Sequence, residues 1–167
     1  MFCIKQRIMK GFKIKNLEKR AVSNNEISVL LVGNNPIEMS LIYEKLHLLK
    51  HKIRNIETAF SHEDMLRKIK LVNPNCLLLD DNIGLNPLKA IVNSVNQLGT
   101  EAISITLLKS HNRQEITSGV QEYLMKEGAD GIKIYNALRN ALKFKKTQQF
   151  FRIKYYSGKR KIKRMFI

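Results

Sequence analysis

A chain of 167 residues with 44% hydrophobic content is long enough for one ordinary domain with a real core. Its formal net charge of +16 is unevenly placed: residues 26–142 are formally neutral, residues 1–25 carry +6 and residues 143–167 carry +10. No apolar run approaches the roughly 18 residues needed to cross a bilayer. Two cysteines, Cys3 and Cys76, supply no disulfide framework, so a membrane-spanning or disulfide-stapled class is excluded and a reducing compartment, by default the cytoplasm, is expected.

Residues 1–25 read as a basic N-terminal arm, since the opening lacks the apolar stretch and cleavage site of a secretory signal. "ISVLLVG" (27–33) predicts a first strand. Asn35 followed by Pro36 is a helix start, and Met39, Ile42, Leu46 and Leu49 share one helical face. "RNIETAF" (54–60) predicts a second strand, and Ser61 opens a helix with Met65, Leu66 and Ile69 as its stripe. The third strand, "CLLLD", is apolar enough to be buried on both faces and stops at the adjacent aspartates Asp80 and Asp81. Leu88, Ile91, Val92 and Val95 mark the next helix, "EAISITLL" (101–108) a fourth strand, and Ile116, Val120 and Leu124 a helix ending near Gly128. "DGIKIY" (130–135) predicts a short fifth strand, after which Leu138, Ala141 and Leu142 begin a last helix that continues into 143–167.

Five strand–helix units in succession predict an α/β domain over residues 26–142, a five-stranded parallel sheet, doubly wound with helices on both faces. In such a sheet ligands sit outside the carboxyl ends of the strands. There the pattern places Asp80, the "GNNP" turn after strand one, Thr106 and the residues around Lys133. No glycine-rich phosphate loop and no Ser/Cys–His constellation occurs. His47, His51, His62 and His111 are too scattered to be assigned a metal.

From about residue 27 to 142 the chain resembles the response-regulator receiver domain of two-component signalling. "LLLDDN" matches the apolar strand that ends in the family's phospho-accepting aspartate, at Asp80. "TEAISIT" (100–106) fits the fourth strand ending in a switch hydroxyl, at Thr106, and "EGADGIKIY" (127–135) looks like the approach to the fifth strand. The resemblance implies a flavodoxin-like fold with strand order 2-1-3-4-5. It also exposes departures. The family's acidic pair, which helps to hold Mg²⁺, is replaced by Gly33 and Asn34. An ungapped register puts Tyr135 where the family has a phosphate-contacting lysine, with Lys133 two residues earlier on the same side of the strand. Phosphoryl transfer to a carboxylate depends on neutralising charge on the transferred group, so the implied cofactor is none, or weakly bound Mg²⁺ at Asp80.

The expected function is therefore a stand-alone receiver-like signalling module, not an enzyme, degenerate at the phosphate pocket and acting by protein contacts with a histidine kinase or a downstream effector. One alternative is a working response regulator switched at Asp80. Another comes from the tail, where six of the chain's twelve aromatics fall among ten basic residues in 143–167, a pattern able to bind nucleic acid without sequence preference.

Overall fold

The structure, a computed structural model, describes residues 26–97, 103–110 and 118–165. The basic arm expected over 1–25 lies outside them, as do Ile116 and His111. The described elements run in the order β1 (Ile27–Val32), α1 (Pro36–His47), β2 (Ile53–Ala59), α2 (His62–Val72), β3 (Cys76–Asp80), a single 3-10 turn (Asp81–Ile83), α3 (Leu85–Gln97), β4 (Ser104–Lys109), β5 (Glu122–Met125) and α4 (Gly131–Met165). The strands form one sheet in the order β2-β1-β3-β4-β5, parallel throughout.

The sequence explains this layout. β3 is the central strand, flanked by β1 and β4, and every one of its residues is buried. Alternate residues of the continuous apolar runs feed two separate cores. On one face Val29, Leu31 and Leu78 meet Met39, Ile42 and Leu46 of α1 and Ile134, Leu138 and Leu142 of α4. On the other, Leu30, Leu77 and Leu79 meet Met65 and Ile69 of α2 and Leu88, Ile91, Val92 and Val95 of α3. Each fully buried leucine contributes about 1.5–3 kcal/mol relative to leaving it exposed, so β3 is the firmest strand available on which to mount a polar group.

Local signals start and stop the helices. The Asn35 side chain accepts from the backbone N–H groups of Ile37 and Glu38, with Pro36 in the first turn, and the Ser61 side chain accepts from Asp64 N–H. α2 ends on Asn73 in the left-handed region at φ 50°, which asparagine tolerates better than most residues.

The fifth strand differs from expectation. It is Glu122–Met125, and "DGIKIY" instead opens α4. The Asp130 carboxylate accepts from Lys133 N–H at 2.7 Å, so Asp130 is a helix cap, and Ile134, Ala137, Leu138, Ala141 and Leu142 form the buried face of the helix that follows. Of the helix expected before it, Val120 precedes β5 and Leu124 lies within it. β5 is an edge strand of four residues, three partly covered and Met125 exposed, too short for periodicity to identify.

Candidate functional site

α1 follows β1 onto one face of the sheet and α3 follows β3 onto the other, so the chain diverges between the carboxyl ends of these neighbouring strands. That is the switch point at which open α/β sheets place their sites. Asp80, the last residue of β3, stands opposite Leu108 of β4. It is completely buried. Its Oδ1 accepts from Asn82 N–H at 2.8 Å and pairs with Lys126 Nζ at 2.5 Å, while Oδ2 has no partner.

Lys126 is the residue directly after β5, and its backbone N–H donates to the Lys109 carbonyl at 2.8 Å, which fixes the point from which the side chain enters. Besides Asp80, its ammonium lies 2.8 Å from Glu38 Oε2 and 3.6 Å from Asp81 Oδ1. Three carboxylates thus share one lysine. Burial alone would lower the Lys126 pKa, but the Asp80 and Glu38 carboxylates outweigh it and hold the ammonium above its ordinary value. Reciprocally, the hydrogen bond from Lys126 holds the Glu38 carboxyl below the usual range.

Glu38 is aimed at this cluster by its own turn. Asn35 Nδ2 donates to Glu38 Oε1 at 3.3 Å and Asn82 Nδ2 to Glu38 Oε2 at 2.9 Å. Asn34 Nδ2 donates to the Asn82 carbonyl at 3.2 Å, tying the turn after β1 to the turn after β3. Asp81 is fixed from β4: Ser110 N–H donates to Asp81 Oδ2 at 2.8 Å and Ser110 Oγ to Asp81 Oδ1 at 2.7 Å. A cleft of about 230 Å³ opens beside Lys126 and Glu38, with Leu108, Ala129 and Ile134 also in its lining.

The residues expected here fall into two groups. Asp80, Gly33 and Asn34 are at the rim, as the sequence predicted. Thr106 is not: it pairs with Leu78, two residues short of the position opposite Asp80, and its buried hydroxyl has no partner. The rim hydroxyl is that of Ser110, the first residue beyond β4. The signal was present, since Thr106 sits inside an apolar run that ends only at Lys109 and Ser110.

Lys133 and Tyr135 are corrected as pocket residues, because both belong to α4 and not to a strand. Lys133 Nζ donates back to the Gly128 carbonyl at 2.7 Å. Tyr135 faces Lys52 and, with Arg139, borders a cavity at Ile27, the first residue of β1, at the opposite end of the sheet. The lysine near Asp80 is Lys126. "EYLMK", a short β-prone run followed by a lysine, was the pattern that marked it.

Whether these groups suit a Mg²⁺ ion can be judged from the space around Asp80. A Cβ built on Gly33 would lie 2.5 Å from Met39 Sδ and 3.2 Å from Asp80 Cβ. Any side chain at residue 33 would therefore have to displace a buried thioether. The Lys126 ammonium stands among the three carboxylates where a cation would be drawn. Among the described residues, no group of three or more His, Cys, Asp or Glu side chains is arranged to hold a metal ion. Mg²⁺ is usually held by one or two carboxylates and keeps several waters; with the Lys126 ammonium already paired to Asp80, Glu38 and Asp81 and only Asp80 Oδ2 left unpartnered, the cluster as arranged does not fit the ion.

Neither a scan against protein-family models nor a search of curated proteins finds a match. Solved structures do match. The signal receiver domain of an HD domain-containing protein from Pseudomonas fluorescens Pf-5 superimposes with a TM-score of 0.61 at 16% identity, over 74% of this chain and 99% of that one. The N-terminal domain of a response regulator/sensory box/GGDEF three-domain protein from Carboxydothermus hydrogenoformans gives 0.58 at 16% identity, over 72% and 98%. The fold is that of a receiver domain. The Saccharomyces cerevisiae receiver domain of Ssk1, solved in complex with the histidine phosphotransfer signalling protein Ypd1, shares it at a TM-score of 0.57 and 17% identity, over 70% of this chain and 89% of that one. Within the receiver fold, Asp80, Lys126 and Ser110 gather at the carboxyl end of the sheet. No described helix is long and apolar enough to cross a membrane.

Proposed function

We propose that this chain is a receiver-type signalling module that works by protein contacts, with its Asp80 site held in a single state. The observation that carries this reading is the position of the Lys126 ammonium among Asp80, Glu38 and Asp81, together with Met39 filling the space beside Gly33. A phosphoryl group arriving at Asp80 brings negative charge to a cluster already rich in it. In this reading the metal that would neutralise that charge meets a cluster already occupied by an ammonium, and Mg²⁺ binds Asp80 weakly or not at all. By analogy with the Ssk1 complex, the partner is a phosphotransfer protein; a histidine kinase or a downstream effector would meet the same surface in this reading. Its role here is binding and not catalysis.

A second reading, a working switch at Asp80, is favoured by one specific feature: a lysine and a hydroxyl, Lys126 and Ser110, both belong to the Asp80 cluster. The two readings separate in one experiment. The purified chain is treated with acetyl phosphate and Mg²⁺ and its intact mass is measured. The single-state reading expects no phosphate adduct. An adduct that disappears in Asp80→Asn would establish the switch.

A further inference from the structure

We propose that the outer part of α4 is a polyanion-binding arm that holds nucleic acid by its phosphates without reading base sequence. α4 packs on the body through Ile134, Ala137, Leu138, Ala141 and Leu142, and beyond Leu142 no side chain through Gly158 is buried. The helix nevertheless continues to Met165. Those further 23 residues span about 35 Å at 1.5 Å per residue. Residues 143–167 hold ten Lys and Arg and no acidic residue, on a chain whose body is formally neutral. A duplex presents one negative charge per about 1.7 Å of its axis, and its major groove admits an α-helix. Length, shape and sign of charge all agree.

Two other occupants fit less well. Phe144, Gln148, Phe151 and Tyr155 follow four-three-four spacing and would form a coiled-coil seam with a second copy, but Lys145, Arg152 and Lys154 flank that seam and would face the same charges across it. An anionic membrane surface wants a helix with one apolar face. Here Phe150, Ile153 and Tyr156 are exposed on other sides of the helix from Phe151 and Tyr155. The rings are interleaved with cations, Lys154 Nζ lying 5.0 Å from the centre of Phe150 and Arg152 6.0 Å from that of Tyr156. Such a surface can grip phosphates and rest against sugars and bases.

The test uses the full chain and two labelled DNA duplexes of about 20 base pairs with unrelated sequences, titrated across a salt series. Both should bind alike, within about threefold, with log affinity falling against log salt at a slope of about −4 or steeper. The variant K154E/K159E/K161E/R164E should lose at least about tenfold in affinity and flatten the slope by about 3 to 4. The neutral variant K154Q/K159Q/K161Q/R164Q, which keeps good helix formers, should also flatten it. Denaturation midpoints unchanged from the parent would show that the body is intact in both. Unchanged DNA binding by both variants would refute the arm. So would binding to phosphatidylserine vesicles without DNA binding, or self-association that the glutamate variant abolishes.

Discussion

Lys126, directly after β5, sets its ammonium 2.5 Å from Oδ1 of Asp80 at the end of β3, and Asp80 is wholly buried. Two strands that are not neighbours in the sheet are therefore joined across β4 by one ion pair. Lys126→Met leaves a buried carboxylate without its cation and should cost about 3–5 kcal/mol in urea unfolding. Asp80→Asn should cost much less, because Lys126 keeps Glu38. Combining the two should recover most of the Lys126→Met loss, giving a coupling energy well above the ~0.5 kcal/mol error of additivity. Strictly additive losses would mean that the pair contributes nothing as a pair.

The pH dependence follows from Glu38 and Lys126. Glu38 is depressed in the folded chain below 4.5, so its contribution is fully present above the unfolded value and is lost as pH falls through the lower folded one. Lys126 is raised above 10.5; its contribution is present below that value and disappears as pH rises through the higher folded one. Glu38→Gln should therefore be destabilising at about pH 6 and less so at about pH 3. Midpoints measured at both pH values give the answer, and a penalty that did not change with pH would rule out the Lys126 hydrogen bond as its source.

Restoring an acid beside Asp80 should fail on its own. Gly33→Asp places a Cβ 2.5 Å from Met39 Sδ, and overpacking of this kind costs about 1–3 kcal/mol. Adding Met39→Ala makes room. Calorimetric titration with Mg²⁺ should show a gain in affinity for G33D/M39A over the parent and none for G33D alone. Binding gained by the single variant would show that Met39 yields readily.

The Cys76 thiol offers a probe of the core. Burial pushes its pKa up to about 12, and Ser104 Oγ lies 3.4 Å from Sγ. Since the thiolate is the reactive species, Cys76 in a Cys3→Ser background should be inert to iodoacetamide in the native state. It should react only as fast as the chain opens. Rapid labelling without unfolding would place β3 nearer the surface than its burial indicates.

How far the sequence carried depends on how many neighbours each residue type has. β1 and β3 are covered on both faces, which forces continuous apolar runs, and so Asp80 could be located to the residue. β5 is covered incompletely at the sheet edge, and its four residues carry no period. "DGIKIY" alternates like a strand over a short window, yet Asp130 is a cap and Ile134, Leu138 and Leu142 repeat at helical spacing over a longer one. That error moved the lysine to Tyr135 and concealed Lys126. Glu38 was out of reach for a different reason: it joins the site through a helical turn and hydrogen bonds from Asn35 and Asn82, partners brought together only by the fold.

α4 begins against the cleft that Lys126 and Glu38 border, through Ala129 just before it and Ile134 in its second turn. Its far end stands about 35 Å beyond the last buried residue. Such a helix acts as a lever pivoting where its buried segment ends at Leu142, and a tilt of one degree there moves the far end by about 0.6 Å over that length. A small change in how that buried segment packs is thus enlarged at the far end of the arm.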